Sequence, residues 1–225
     1  MIVAIEGIDG SGKQTQTALV GESLCALGHS AATMSFPRYG KTHFAGLIGD
    51  YLNARLGDPA TISPKLIGLL YAGDRLESRE ELADLIARHE VLVLDRYTAS
   101  NLAYQGAKEQ GLAREELFDW VDQVEHGVYK LPRADLNIFM DVPVDMAMGL
   151  VRQKRGRTYT NRELDVHEAN RQYLQNCREA YLELMERGMP GPWARVDCVG
   201  PDGQILGRET VRDRILEVFH AHRLM

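Results

Sequence analysis

The chain has 225 residues, 44% of them hydrophobic and 26% charged, a globular composition of about one and a half typical domain lengths. Its 26 basic and 32 acidic residues leave a formal charge of −6, which disfavours a general nucleic-acid binder, whose affinity rests on many cations neutralising phosphates. Cys25, Cys177 and Cys198 show no C-x-x-C spacing, so neither a disulfide framework nor a zinc site is indicated. There is no apolar run long enough to span a membrane, and residues 1–6 are too short and lack the basic flank of a signal peptide, so the expected address is the cytoplasm.

Strand and helix patterns alternate along the chain. Ile2 to Glu6 is a short β-branched run stopped by Gly7, and Lys13 to Leu27 is a helix ending at Gly28, a left-handed cap position. A second strand runs from Ala31 to Phe36, stopped by Pro37. Ser63-Pro64 opens a helix expected to continue through Asp74-Arg75 toward Arg88. Val91 to Asp95 is unbroken apolar sequence ending in an acid, as in a parallel strand covered on both faces. Helical patterns follow near 100–110 and 113–127, then a strand from Leu136 to Val142 and a helix opened by Pro143. Val166, Ala169, Tyr173, Cys177, Ala180 and Leu184 step by three and four along one face of a long helix. A last strand is expected at Trp193 to Val199 and a closing helix at Thr210 to His220. Such alternation implies a parallel α/β sheet, in which ligands bind beyond the carboxyl ends of the strands.

Those strand ends carry the informative residues. The first runs into Gly7-Ile8-Asp9-Gly10-Ser11-Gly12-Lys13-Gln14-Thr15, a G-x-x-x-x-G-K phosphate-binding loop in its required setting of strand, glycine turn and helix. Backbone N–H groups, the helix N-terminus and the Lys13 charge all favour an anion there. Gln14 replaces the usual Ser or Thr whose hydroxyl meets magnesium, which leaves the metal to Asp9, Thr15 or other carboxylates. The second strand ends in Phe36-Pro37-Arg38-Tyr39, placing an arginine and two aromatics at the rim, although an ordinary exit turn reads the same way. The third ends in Asp95-Arg96: the acid suits a magnesium-bound water and the arginine a phosphate, or the two form a surface salt bridge.

Between 146 and 162 five cations, Arg152, Lys154, Arg155, Arg157 and Arg162, stand with no acid. This run, about 152–164, reads as a lid closing on a polyphosphate or as a solvated helix end. Tyr71 with Arg75, and Asn101 with Tyr104, share helix faces that could stack on and read a nucleobase; core aromatics with polar neighbours look alike. Asp165-x-x-Glu168 is a capping box that would also lie near a ligand if a lid precedes it.

Glu6 to Lys13, Phe36-Pro-Arg-Tyr39, Asp95-Arg-Tyr97 and Asn101-x-x-Tyr104 together resemble the thymidylate kinases, from the first strand to the long helix. The resemblance implies a single P-loop kinase domain over residues 1–225: a three-layer P-loop NTPase fold with about five parallel strands flanked by helices. It implies transfer of the ATP γ-phosphoryl group to dTMP with Mg2+, and a homodimer. Residues 7–15 and Arg152 would bind ATP. Phe36, Arg38 and Arg96 would hold the acceptor's phosphate end, with Tyr39 also on the substrate. Tyr71 would stack on thymine, Arg75 would donate to its carbonyl, and Asn101 would add a polar contact. Tyr104 would crowd a ribose 2′-hydroxyl, with Asp165 and His167 near the sugar. Asp9 would contact the sugar or the metal, and Glu168 would join the metal shell, where the strand-end reading also puts Asp95. Some relatives keep a catalytic arginine at the place of Gly10 and others in the lid; Gly10 with the 152–162 run resembles the second kind, which points to Arg155 or Arg157 beside Gly156.

The chemistry fits those residues. The attacking phosphate oxygen is already anionic, so no general base is needed, and catalysis reduces to positioning and charge neutralisation. Two alternatives stay open: another nucleoside monophosphate or deoxynucleoside kinase of the same fold, and a P-loop switch ATPase. A GTPase would need an N-K-x-D motif, which Asn161-Arg-Glu-Leu does not supply.

Overall fold

The structure, a computed structural model, describes residues 1–59, 61–153 and 171–222. Its centre is one parallel sheet of β1 (Ile2–Glu6), β2 (Ala31–Ser35), β3 (Val91–Asp95), β4 (Leu136–Asp141) and β5 (Trp193–Asp197), in the order β2-β3-β1-β4-β5. The helices are α1 (Lys13–Ala26), α2 (His43–Leu52), α3 (Pro64–Glu77), α4 (Arg79–Arg88), α5 (Thr98–Gly106), α6 (Leu112–Asp122), α7 (Val144–Gln153), α8 (Arg171–Arg187) and α9 (Arg208–Ala221), with a π-helical turn, Gln123–Val128, after α6.

Apolar residues on both faces make β1 and β3 the middle of the sheet. Val3, Ile5, Val91 and Val93 enter the larger core with Val20, Leu24, Leu102 and Tyr181. Ile2, Ala4, Leu92 and Leu94 enter a smaller one with Met34, Phe36, Leu82 and Tyr97. Each Val, Ile, Leu, Met or Phe side chain among them contributes roughly 1.5–3 kcal/mol on full burial. The register sets Ile5 and Ser35 level with Asp95, so the chain exits β1, β2 and β3 at one edge. From β1 the chain leaves toward one side of the sheet and from β3 toward the other, the switch point where such sheets bind ligands.

The α1 terminus matches the expectation from Gly28. Gly28, at φ +94°, lets its N–H reach the Cys25 carbonyl and that of His29 the Leu24 carbonyl, each at 3.0 Å, which closes a Schellman cap. The helix expected from residue 63 to 88 is instead two. Ser78 donates its Oγ to the Asp74 carbonyl at 2.8 Å, giving that carbonyl a side-chain donor, and α4 restarts with Leu82 N–H on the Ser78 carbonyl.

Helix α2 was not anticipated, since Gly46 and Gly49 lower its intrinsic propensity. It forms because Thr42 caps it, accepting from Ala45 N at 3.1 Å, and because Ile48, Tyr51 and Leu52 pack on Ile67 of α3. The long-helix pattern is seen from Arg171 onward; its first positions, Val166 and Ala169, lie outside the described residues.

Candidate active site

The loop after β1 wraps tightly because three glycines hold positive φ: Gly7 at +150°, Gly10 at +86° and Gly12 at +90°. Gly12 starts α1 with no side-chain cap and no acid in the first turn, which leaves the positive helix end open to an anion. A Cβ on Gly10 would overlap the Ala147 carbonyl oxygen and lie 2.8 Å from Val151 Cγ2, so the loop rests directly on α7.

Lys13 is buried and folds back over this loop, its Nζ donating to the Ile8 carbonyl at 2.7 Å and to Ser11 Oγ at 3.4 Å. Burial pushes its ammonium down to about 7; the Arg96 charge adds to this, against Asp9, Asp95 and Glu6. Gln14 is exposed and Thr15 half-buried.

At the end of β3 Arg96 takes a left-handed backbone, φ +64°. Its N–H donates to the Ile5 carbonyl at 3.1 Å, and that of Tyr97 to Glu6 Oε1 at 2.8 Å. The Arg96 guanidinium pairs with Asp9, donates to Ser100 Oγ at 3.4 Å and lies 5.0 Å over the Tyr104 ring. The sequence reading gave Glu6 no role. It is wholly buried, and its Oε2 also accepts from Ser100 Oγ at 2.5 Å and Tyr181 OH at 3.0 Å, while burial pushes its carboxyl up despite those bonds. Glu6 thus ties β1, α5 and α8 beneath Arg96; an acid closing an otherwise apolar strand was its only sequence signal.

The rim after β2 is pinned from α3 and α4. Arg38 N–H donates to Asp74 Oδ2 at 3.0 Å, Thr42 Oγ1 to Asp74 Oδ1 at 2.5 Å, and the Arg38 guanidinium pairs with Glu81. Arg38 Nε is buried and without a partner among the described residues. Phe36 is buried, its ring centroid 6.0 Å from that of Tyr97 and 5.8 Å from the Arg75 guanidinium carbon. Tyr39 and Tyr71 are half-buried. Asn101 and Tyr104 lie on the buried α5; the Tyr104 carbonyl accepts from Tyr173 OH at 2.6 Å, and its ring meets Tyr173 and Tyr181 edge-on at 6.2 and 6.4 Å. Arg75 is paired with Glu125, a second unanticipated carboxylate.

Asp9 and Asp95 are hard oxygen donors at neighbouring strand ends. Among the described residues no group of three His, Cys, Asp or Glu side chains could hold a metal by itself. That donor set fits Mg2+, which is usually held by one or two carboxylates with substrate phosphate and water. Lys154, Arg155, Arg157, Arg162, Asp165, His167 and Glu168, and the side chain of Arg152, lie outside the described residues.

The Lys13 environment gives a pH expectation. Because its ammonium sits below the ordinary 10.5, the ligand-free fold gains stability from this group as pH rises from about 7, and carries the full desolvation cost below it. A polyphosphate beside Lys13 reverses this by favouring the charge. Titration with ATP at pH 8 should therefore take up close to a full proton, measured as the dependence of binding heat on buffer ionisation enthalpy. Lys13→Met should abolish the uptake; equal uptake in both proteins would contradict the environment described.

Comparison with known proteins places this edge in a family. The sequence profile described as thymidylate kinase matches residues 5–197. The chain is 33% identical to a Mycobacterium tuberculosis thymidylate kinase over 205 residues, covering 91% of this chain and 95% of that one. It is 34% identical to a Pelobacter propionicus thymidylate kinase over 231 residues, 97% of each. Among solved structures, a Candida albicans thymidylate kinase superposes with a TM-score of 0.73 at 22% identity, covering 99% of this chain and 92% of that one.

Proposed function

The chain belongs to the thymidylate kinase family, and from that premise we propose how its residues act as it transfers the γ-phosphoryl group of ATP to dTMP, giving dTDP and ADP on the way to dTTP. The observation that carries the reading is the convergence of Lys13, the Asp9–Arg96 pair and Phe36 at one edge of the sheet.

Residues 7–15 cradle the donor phosphates, with Lys13 released from the Ile8 carbonyl to meet them. Arg96, Phe36 and Arg38 hold the phosphate of dTMP, with Tyr39 also on the substrate; Tyr71, Arg75 and Asn101 hold thymine, and Tyr104 excludes a 2′-hydroxyl. The acceptor oxygen is already anionic, so these groups work by bringing two anions together and spreading charge. Asp9 and Asp95, with Glu168, would hold Mg2+, which would further neutralise the phosphates.

A side-chain cation has no room at Gly10, because its Cβ direction meets α7. This supports a bridging arginine from the lid, Arg155 or Arg157, with Arg152 toward ATP and Asp165 and His167 toward the sugar. The same proposal holds that residues 1–225 are one kinase domain acting in the cytoplasm as a homodimer, without nucleic acid. No described helix is long and apolar enough to cross a membrane, and Leu47 of α2 and Leu66 of α3 are exposed.

The test is coupled ADP release with Mg2+ and ATP, presenting dTMP, dUMP, CMP and thymidine in turn. We expect dTMP to be preferred. CMP turns a donor toward the donor Arg75, and an unpaired buried polar group costs roughly 1–3 kcal/mol, so its kcat/KM should fall by roughly 5- to 150-fold. Equal kcat/KM for dTMP and CMP would favour a broader monophosphate kinase, use of thymidine a deoxynucleoside kinase, and ATP hydrolysis without acceptor a switch ATPase.

A further inference from the structure

Arg75 and Asn101, both assigned to the base pocket, share one acceptor. Arg75 Nε donates to Glu125 Oε2 at 2.9 Å, and its Nη2 donates to Oε1. Asn101 Nδ2 donates to the same Oε1 at 2.8 Å and to the Gly68 carbonyl at 3.0 Å. All three side chains are buried, Glu125 completely. Glu125 stands in the π-helical turn, a geometry often found at functional sites.

The polarity of these bonds has a consequence. A carboxylate and a backbone carbonyl only accept, so Asn101 must turn its NH2 to both, and this uses both of its N–H groups. The chemistry of its neighbours thereby fixes the amide, independent of any ambiguity between oxygen and nitrogen. Its Oδ1 points elsewhere, buried and without a partner among the described residues. On Arg75 the two bonds to Glu125 engage Nε and Nη2 and leave Nη1 out. One carboxylate thus holds a donor and an acceptor in fixed directions.

We propose that Glu125 is a positioning residue that sets the hydrogen-bond polarity of the base pocket, orienting Asn101 Oδ1 to accept from an imide N–H and Arg75 to donate to the adjoining carbonyl. Thymine carries that pair as N3–H beside O4. Cytosine carries the reverse, an unprotonated N3 beside an amine. Discrimination between the two therefore resides in a group that does not touch the base. This rests on the thymidylate kinase reading of the site.

The test compares kcat/KM for dTMP and dCMP in Glu125→Gln, Glu125→Asp and the unaltered enzyme. Failure of the unaltered enzyme to phosphorylate dTMP would refute the reading of the site itself; the ratio among variants addresses Glu125. A glutamine keeps one acceptor oxygen but turns its NH2 on either Arg75 Nε or the Arg75 Nη2–Asn101 Nδ2 pair, so Arg75, with or without Asn101, must turn. The dTMP:dCMP ratio should then fall by about tenfold or more, mainly through a higher KM for dTMP, since the lost contacts serve ground and transition state alike. Glu125→Asp keeps an acceptor and should keep the ratio, whatever it loses in rate.

A purely structural role would lower both substrates together and leave the ratio unchanged in Glu125→Gln, which overturns the proposal. Circular dichroism and a thermal melt establish folding. Should Glu125→Gln not fold, Arg75→Gln with Glu125→Gln removes the stranded charge, and Arg75→Gln alone is its reference. A lower ratio in the double variant than in that reference supports the proposal, and an equal ratio overturns it.

Discussion

Lys13→Ala is expected to lower turnover with dTMP by a factor on the order of 10³, because a well-placed donor to developing charge contributes about 3–4 kcal/mol to transition-state stabilisation. The structure makes the result interpretable. Lys13 is buried, and burial disfavours its ammonium, so its removal relieves a cost in the ligand-free fold. The variant should therefore fold, with a melting temperature at pH 7 close to or above that of the unaltered chain. Single-turnover phosphoryl transfer together with a thermal melt checks both halves. A folded Lys13→Ala protein with near-normal turnover would remove the central element of the assigned site. A variant that fails to fold would show that its bonds to Ile8 and Ser11 hold the loop together.

Gly10→Ala should be the most damaging single methyl in the loop. The backbone at φ +86° strains any L-residue by roughly 1–2 kcal/mol. The added Cβ then overlaps the Ala147 carbonyl oxygen, with Val151 Cγ2 2.8 Å away. That carbonyl belongs to α7 and cannot rotate aside as a side chain could, so overpacking adds about 1–3 kcal/mol. For a chain of this length each 1 kcal/mol moves the melting temperature by roughly 2–4 °C, so a fall of about 4–20 °C is expected. Loop displacement of even 1 Å can cost about 10² in rate. Gly28→Ala is the comparison: Gly28 has a similar φ of +94° but open space around its Cβ, so it should show the backbone strain alone. Equal melting temperatures for the two variants would mean that α7 gives way at no cost.

How far the sequence alone reaches is clear from particular residues. The five strands, the phosphate loop and the Asp95-Arg96 strand end were readable because their determinants are local: apolar runs of strand length, glycines where φ must be positive, a lysine at fixed spacing. The family resemblance rested on those same short motifs, and the match over residues 5–197 agrees with it. Local signals failed where packing outweighed propensity, as in α2, and at Ser78, whose backbone at φ −89° and ψ 1° divides the helix expected from 63 to 88 into α3 and α4. They failed most at the two carboxylates around which the site is built. Glu125 meets Arg75 across 50 residues and Glu6 meets Tyr181 across 175. No periodicity or spacing encodes such pairs. A charged side chain reads as solvated until the fold encloses it, and once enclosed it is stable only where complementary donors converge. The sequence determined which residues line the edge of the sheet. The tertiary structure decided that Glu125 meets Arg75 and Asn101 and that Glu6 meets Tyr97, Ser100 and Tyr181, because that choice depends on who else is left without water.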